Sequence, residues 1–274
     1  ICYGFANEPL LQFPSMRAGV HHLHSVESSY SAIDAIVADA AKDFYFIGEG
    51  VVPSDRVRWV NGTNDADCND GSLKIAEAIT EKVIEFDYVA TSAVSIPARF
   101  AGGPFATCFK FGDEPFKLYS DLMLEVLAVS GIITDVGSSS VLVENDPKIF
   151  HIEGAGVTKG DRVKLIPLEA STSDSICLEE YGIPILASSI VDEAGNVSLS
   201  ADLDAVGNDP TSSAWTLCVT HRSEPPKLYP SILLSLSRII SVVAIHDGKN
   251  ATFAEDTLKA VVGTEKAFKV TADG

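Results

Sequence analysis

A cysteine-containing segment occurs three times in this chain at nearly equal intervals. The copies begin at Cys2, Cys108 and Cys218, which are 106 and 110 residues apart, and each fits the pattern C-x5-E-P. An internal repeat of this length indicates a series of similar units, each contacting mainly its neighbours. The sequence therefore predicts a tandem array.

A second motif repeats in step with the first. Residues 44–51 (FYFIGEGV) match residues 150–157 (FHIEGAGV) and, more weakly, the stretch from residue 268 to the end, and an Asp-Arg-Val triplet follows the first two copies. The two motifs divide the chain into four parts. These are the closing strands of a truncated repeat (1–20), two whole repeats (30–128 and 129–240) and the opening strand of a further truncated repeat (241–274).

Short segments of alternating hydrophobicity, separated by turn residues, fill both whole repeats. Val57 and Trp59 alternate with arginines, as in a half-buried strand, and Leu122 and Ile232 each start a run of apolar residues at every second position. We therefore expect an all-β fold. Residues 71–86 have a helical period instead, which predicts a helix in the first repeat alone.

About seven short strands in a unit of some 100 residues fit an immunoglobulin-like β-sandwich. The motif that begins at Phe44, with the Asp-Arg-Val triplet after it, resembles the start of immunoglobulin-like repeats of the IPT/TIG kind in large cell-surface and fibrous proteins. The C-x5-E-P strand resembles tandem repeats of giant secreted proteins, including those of flagellar hairs (mastigonemes). These resemblances imply a structural or adhesive role.

Five cysteines are an odd number for a secreted chain, but the repeat accounts for them. Cys68 and Cys108 have nearly the same spacing as Cys177 and Cys218, so we predict one disulfide in each whole repeat. Cys2 is then the closing cysteine of a truncated repeat, with its partner outside this sequence. The alternative is buried free thiols in a cytosolic protein.

Three sequons place candidate glycosylation sites at Asn61, Asn196 and Asn250. Disulfides and glycans together indicate an extracellular or cell-surface protein. The formal net charge of −18 argues against nucleic acid and anionic membranes as partners. The apolar runs are also shorter than a membrane span requires.

Two clusters suggest metal binding without fulfilling its usual patterns. His21, His22 and His24 have no carboxylate at ligand spacing, so we interpret them as a connecting or surface segment. The acidic segment 64–70 has enough oxygen ligands for calcium but lacks the glycine and terminal glutamate of an EF-hand. We therefore predict no metal or cofactor, with calcium as the open alternative.

The Glu-Pro pairs of the cysteine motif also admit a catalytic interpretation, but they recur in every repeat, and catalysis requires only one site. We interpret the glutamates as bonding nearby backbone amides and the prolines as interrupting the strand pairing. The residues concerned are Glu8, Pro9, Glu114, Pro115, Glu224 and Pro225.

The function predicted from these observations is structural. The chain is expected to be a repeat segment of a long secreted or surface protein that forms a filament or rod, with no catalytic site, and with copies of itself or neighbouring repeats as partners. The alternative is an adhesin that binds a glycan or protein through loops at the ends of the sandwich. An accessory module of a secreted enzyme is the third possibility.

Overall fold

The structure is a computed structural model of the chain. It describes residues 2–3, 11–12, 19–30, 32–82, 89–135, 137, 140–143, 146–168, 173–178, 185–201, 214–246, 249–251 and 267–273. The chain divides into two compact units, Ile1–Ala128 and Val129–Gly274. The predicted Glu8 and Pro9 lie outside the described residues.

The first unit consists almost entirely of strands. They are β1 (Cys2–Tyr3), β2 (Leu11–Gln12), β3 (His22–Ser28), β4 (Ala35–Val37), β5 (Lys42–Glu49), β6 (Arg56–Val60), β7 (Lys74–Ile79), β8 (Glu81–Lys82), β9 (Val89–Val94), β10 (Gly102–Lys110) and the start of β11 (Lys117–Ile133). A five-residue helix, α1, lies at Asp65–Asn69, and a 3-10 turn lies at Ala98–Phe100.

Two sheets of the first unit face each other across a hydrophobic core. One has the strand order β3-β5-β9-β8, and the other includes β11, β10, β6 and β7, with β4 parallel to β11. Phe44 and Phe46 of the first sheet lie with their ring centroids 5.3 Å from those of Trp59 and Phe109, respectively, in the second. All four side chains are buried, so the unit is a β-sandwich whose core begins with β3, ahead of residue 30.

The second unit repeats this plan. Its strands are β12 (Val141–Val143), β13 (Lys148–Ala155), β14 (Arg162–Pro167), β15 (Ala187–Ile190), β16 (Asn196–Leu199), β17 (Ala214–Thr220), β18 (Lys227–His246), β19 (Lys249–Ala251) and β20 (Ala267–Asp273). A 3-10 turn lies at Asp174–Cys177. β12 runs parallel to β18, as β4 does to β11. Phe150, Leu165 and Leu217 share one core with Trp215.

The closing hairpins of three repeats have the same register. Cys108 pairs with Leu118, Cys218 pairs with Leu228, and Cys2 pairs with Gln12, a separation of ten residues in each case. The sequence motif therefore corresponds to one pairing register, which β1 and β2 share.

The helix predicted at residues 71–86 is wrong over residues 71–82, and residues 83–86 lie outside the described residues. Lys74–Ile79 and Glu81–Lys82 are strands, and β7 pairs antiparallel with β6, with one register shift next to Lys74. The helical period arises because β7 is an edge strand whose residues are half-buried or exposed, so its hydrophobic pattern is not forced to alternate. The predicted class is confirmed: tandem all-β, immunoglobulin-like sandwich repeats, each with one internal disulfide.

Candidate functional site

The two predicted disulfides are present, one in each unit. Cys68 is bonded to Cys108 and Cys177 to Cys218, with Cα atoms 5.8 and 5.7 Å apart. All four cysteines are buried. Each bond joins a short helical turn to the first strand of the closing hairpin.

An aspartate three residues before the first cysteine strengthens each of these connections. Oδ1 of Asp65 accepts a hydrogen bond from the Leu118 amide at 2.8 Å, and its Oδ2 accepts one from Lys117 Nζ at 3.0 Å. Asp174 accepts the equivalent bonds from Leu228 and Lys227, both at 2.9 Å. These bonds help to lower the pKa of Asp65, chiefly through the Leu118 amide.

We call this arrangement of helical turn, disulfide and aspartate the disulfide clasp (residues 65–68, 108 and 117–118, and residues 174–177, 218 and 227–228). Sequence reasoning identified its cysteines but missed its aspartates. The signal was present, because both copies contain D-x-x-C, and a Lys-Leu pair begins 49 or 50 residues after the cysteine. The clasp anchors the start of a long strand in each unit.

The acidic segment 64–70 forms the clasp helix. Asn64 is the N-cap, accepting hydrogen bonds from the amides of Ala66 and Asp67, and the Asp67 carboxylate accepts one from the Thr63 amide. Asp70 accepts one from the Ser72 amide, which lowers the pKa of Asp70. The carboxylates interpreted as candidate calcium ligands therefore bind protein donors. In the part of the chain that is described, no group of three or more metal-ligating side chains occurs.

A second aspartate, from the Asp-Arg-Val triplet, is buried in each unit. Asp55 accepts hydrogen bonds from the amides of Val52 and Gly112, at 2.9 and 2.8 Å. Asp161 accepts the equivalent bonds from Thr158 and Arg222, at 3.1 and 2.8 Å. Each aspartate therefore connects the turn before its own strand to the hairpin that contains the Glu-Pro motif.

The second unit adds a histidine to this connection. His221 Nδ1 lies 3.1 Å from Asp161 Oδ2, and His221 Nε2 lies 3.2 Å from the Tyr229 hydroxyl. Burial by itself raises the pKa of Asp161, but hydrogen bonds from His221 and from the Arg222 and Thr158 amides outweigh it, so the pKa is lowered overall. The first unit has Phe111 at the position of His221.

A lysine two residues before a core phenylalanine recurs as well. Lys42 Nζ donates hydrogen bonds to the carbonyls of Ala32 and Ala35, at 2.6 and 2.7 Å, and lies 5.6 Å from the centroid of the Phe44 ring. Lys148 Nζ donates to the Val141 carbonyl at 3.0 Å and lies 5.2 Å from the Phe150 ring. Each lysine thus anchors the short strand β4 or β12. Lys266 and Phe268 have the same spacing.

In the two whole repeats, the glutamate of the Glu-Pro motif ends the turn of the closing hairpin. The Glu114 amide donates to the Phe111 carbonyl at 3.0 Å, and the Glu224 amide donates to the His221 carbonyl at 2.8 Å. The glutamate side chains differ, since Glu114 is exposed and Glu224 is buried. The common feature is therefore a backbone turn, and the predicted bonding of amides by both carboxylates stays a prediction. Pro115 and Pro225 follow the turn.

The sequon asparagines have different surroundings. Asn61 is exposed in the loop after β6. Asn196 starts β16 and is half-buried; its Oδ1 lies 3.3 Å from His151 Nδ1, and its Nδ2 donates to Asp192 at 3.4 Å. Asn250 lies in β19, paired with Ile245, and its side chain is outside the described atoms.

The histidine cluster borders a cavity of about 620 Å³ in the first unit. His22 and His24 lie on β3 and not in a connecting segment, which corrects that part of our interpretation; both are exposed, as expected for a surface role. His21 packs edge-on against Phe111, with ring centroids 5.2 Å apart. Tyr119 also lines the cavity, and its hydroxyl accepts a hydrogen bond from the Leu23 amide at 3.3 Å.

No protein-family model matches this chain, and no curated protein matches it. Among solved structures, a marsupial T cell receptor is similar over 81% of this chain and 78% of that chain, at 9% identity and a TM-score of 0.31. A tetra-tandem repeat from the extending region of a large adhesion protein is similar over 93% and 64%, at 12% identity and a TM-score of 0.26.

A Salmonella alpha-2-macroglobulin mutant is similar over 87% of this chain, at 10% identity and a TM-score of 0.24, but this chain spans only 17% of its length. TM-scores this low support no argument about function. The fold assignment rests instead on the strand pairing, the shared cores and the disulfides of this chain. None of its described helices has the length and hydropathy of a membrane span.

Proposed function

We propose that this chain is a structural repeat segment of a long secreted or cell-surface protein that builds an extracellular filament or rod. The observation that supports this most directly is the duplication of the disulfide clasp. Asp65 and Asp174 each lie three residues before a disulfide-bonded cysteine. Each accepts hydrogen bonds from a lysine side chain and from the backbone amide of the leucine after it. Because the clasp occurs once in each unit, we assign it the role of stabilising that unit.

The same clasp supports an extracellular location. Disulfides persist in oxidising compartments and are rare in the cytosol. In the chain-entropy account, closing a loop of 40 or 41 residues stabilises a unit by about 3 to 4 kcal/mol. We therefore propose that the units mature where disulfides form, with glycans at the sequons.

The partners proposed for such a segment are neighbouring repeats and further copies of the same chain. Contacts between copies that do not close into a ring generate filaments. The formal net charge of −18 repels copies from one another at low ionic strength, so lateral association is expected to increase with salt.

Electron microscopy of the natively produced protein tests this proposal. An antibody raised against the exposed loop at residues 192–195 should label extracellular filaments on cells or in the medium. The label should be lost when the antibody is preincubated with that peptide. Label confined to the cytosol, or to dispersed single molecules outside the cell, would contradict the structural role.

An adhesin is the second candidate, because the cavity beside β3 is lined by aromatic and charged side chains such as Tyr119 and Lys117. Amphipathic aromatic residues are common in binding sites. A glycan array probed with the whole chain tests this alternative, with Tyr119→Ala as the variant that should lose any signal. An array without signal would remove the glycan-binding alternative.

A further inference from the structure

Two imidazole rings lie side by side at the start of β3. His22 and His24 have ring centroids 5.1 Å apart with an angle of 84° between the rings, and both side chains are exposed. Leu23, between them, is 3% exposed and points into the core of the first unit. Alternation along a strand places residues i and i+2 on one face, which explains the pairing of the rings.

Among the described residues, the rings of His22 and His24 differ from those of His151 and His221, whose nitrogens have protein partners. His221 contacts Asp161 and Tyr229, and His151 contacts Asn196. Among the described residues, the rings of His22 and His24 contact each other, and the His22 ring also contacts Tyr119. Neither ring makes a hydrogen bond or an ion pair with another described residue. Their nitrogen lone pairs are therefore accessible to a ligand.

The backbone beneath the rings is held in place. The pairing of β3 with β5 shifts between Leu23 and Ser25, so His24 is the extra residue of a β-bulge. Bulges redirect side chains and recur next to functional sites. The Tyr119 hydroxyl accepts a hydrogen bond from the Leu23 amide, the residue between the two histidines. This contact positions the segment without occupying either imidazole.

We propose that His22 and His24 form a two-imidazole chelate for a divalent transition metal of the zinc, nickel and copper class. Neutral imidazole nitrogen is a preferred ligand for these metals, whereas calcium and magnesium require oxygen ligands. No third histidine, cysteine or carboxylate among the described residues completes a three-ligand group. Water fills the remaining positions, and the site opens into the cavity next to β3.

Isothermal titration of the whole, disulfide-intact chain with zinc, nickel and copper(II) chloride at pH 7.5, in a non-coordinating buffer, tests the site. The expected order of affinity is copper above nickel and zinc, following the general preference of nitrogen sites. His22→Ala and His24→Ala should each weaken binding at least tenfold, and the double variant should abolish it.

His151→Ala is the matched control, since His151 is also an exposed histidine on a strand but has a protein partner. It should leave the affinity unchanged. Because the three substituted side chains are exposed, thermal unfolding should show each variant folded like the parent. Absence of binding by the parent chain, or binding that survives in the His22/His24 double variant, would overturn the proposal. Equal loss in the His151 variant would overturn it as well.

Discussion

Nδ1 of His221 lies 3.1 Å from Oδ2 of Asp161, and both side chains are completely buried. In the first unit, Asp55 occupies the position of Asp161, and Phe111 occupies the position of His221. Asp55 accepts a hydrogen bond from the amide of Gly112, the residue after Phe111. One repeat therefore closes its hairpin with a titratable pair and the other with an apolar ring. The two units should respond differently to acid.

Acidification should destabilise the second unit in part through Asp161. Its pKa is lowered in the folded state, so its stabilising contribution is fully present above the unfolded value of about 3.9 and is lost as the pH falls through the folded value. Asp161→Asn should lower the free energy of unfolding by about 1 to 3 kcal/mol at pH 7. The deficit should shrink as the pH falls below about 4, because the carboxylate of the unfolded parent chain then takes up a proton while the folded one, with its lowered pKa, is still charged.

Tryptophan fluorescence separates the two units in this experiment. Trp59 is the reporter of the first unit and Trp215 that of the second, and both are buried. Urea unfolding in a Trp59→Phe background therefore follows the second unit. An Asp161→Asn deficit that stays constant from pH 7 to pH 3 would contradict the assigned pKa direction.

Removal of either disulfide should destabilise its own unit. The paired replacements Cys68→Ala with Cys108→Ala, and Cys177→Ala with Cys218→Ala, each release a loop of similar length. We expect each to lower the free energy of unfolding by about 3 to 4 kcal/mol. Urea unfolding under non-reducing conditions, followed by the tryptophan of each unit, measures both effects. A loss that appears equally in both units after one replacement would contradict the assignment of one clasp to each unit.

Replacement of Lys42 should cost more than replacement of Lys148. Lys42 is 2% exposed and donates to two carbonyls, whereas Lys148 is only half-buried. Lys42→Met leaves these buried carbonyls without their donor, which costs about 1 to 3 kcal/mol. Thermal unfolding of Lys42→Met and Lys148→Met tests the order. Lys159→Met is the control, because the Lys159 ion pair with Glu193 is exposed and should contribute little.

Glycan occupancy should differ between the sequons. Asn61 is exposed in a loop, whereas the amide of Asn196 contacts His151 and Asp192. We expect high occupancy at Asn61 and lower occupancy at Asn196. Mass spectrometry of peptides from the natively produced protein measures both. His151→Ala frees one side of Asn196 and should raise its occupancy, and the reverse order of occupancy would contradict this account.

The pattern of cysteines and strands was predictable because it depends on spacing alone. Two nearly equal Cys–Cys intervals, in register with a repeat, leave few possible pairings, and the alternation of Phe44 and Phe46 is visible in the sequence. The edge strand β7 was not predictable in this way. None of its residues is fully buried. Burial therefore does not impose alternating hydrophobicity on this strand, and its sequence can show a helical period.

The polar contacts within each unit were not predicted, although D-x-x-C and a later Lys-Leu recur in both units. Asp65 and Asp174 accept hydrogen bonds from backbone amides more than 50 residues away. Every residue except proline has such an amide, so the sequence does not indicate which one a carboxylate binds. The Glu-Pro motif was recognised by its residue types, whereas its turn is closed by a hydrogen bond between a backbone amide and a backbone carbonyl. The sequence likewise does not show that the ring nitrogens of His22 and His24 have no hydrogen-bond partner among the described residues; the structure was needed for that.

The central claim, a disulfide-bonded extracellular repeat, is tested most directly by a non-reducing peptide map of the natively produced protein. We predict peptides that join Cys68 to Cys108 and Cys177 to Cys218, with no free thiol at these four positions. Free thiols at these cysteines, or a bond that joins a cysteine of one unit to a cysteine of the other, would contradict the account.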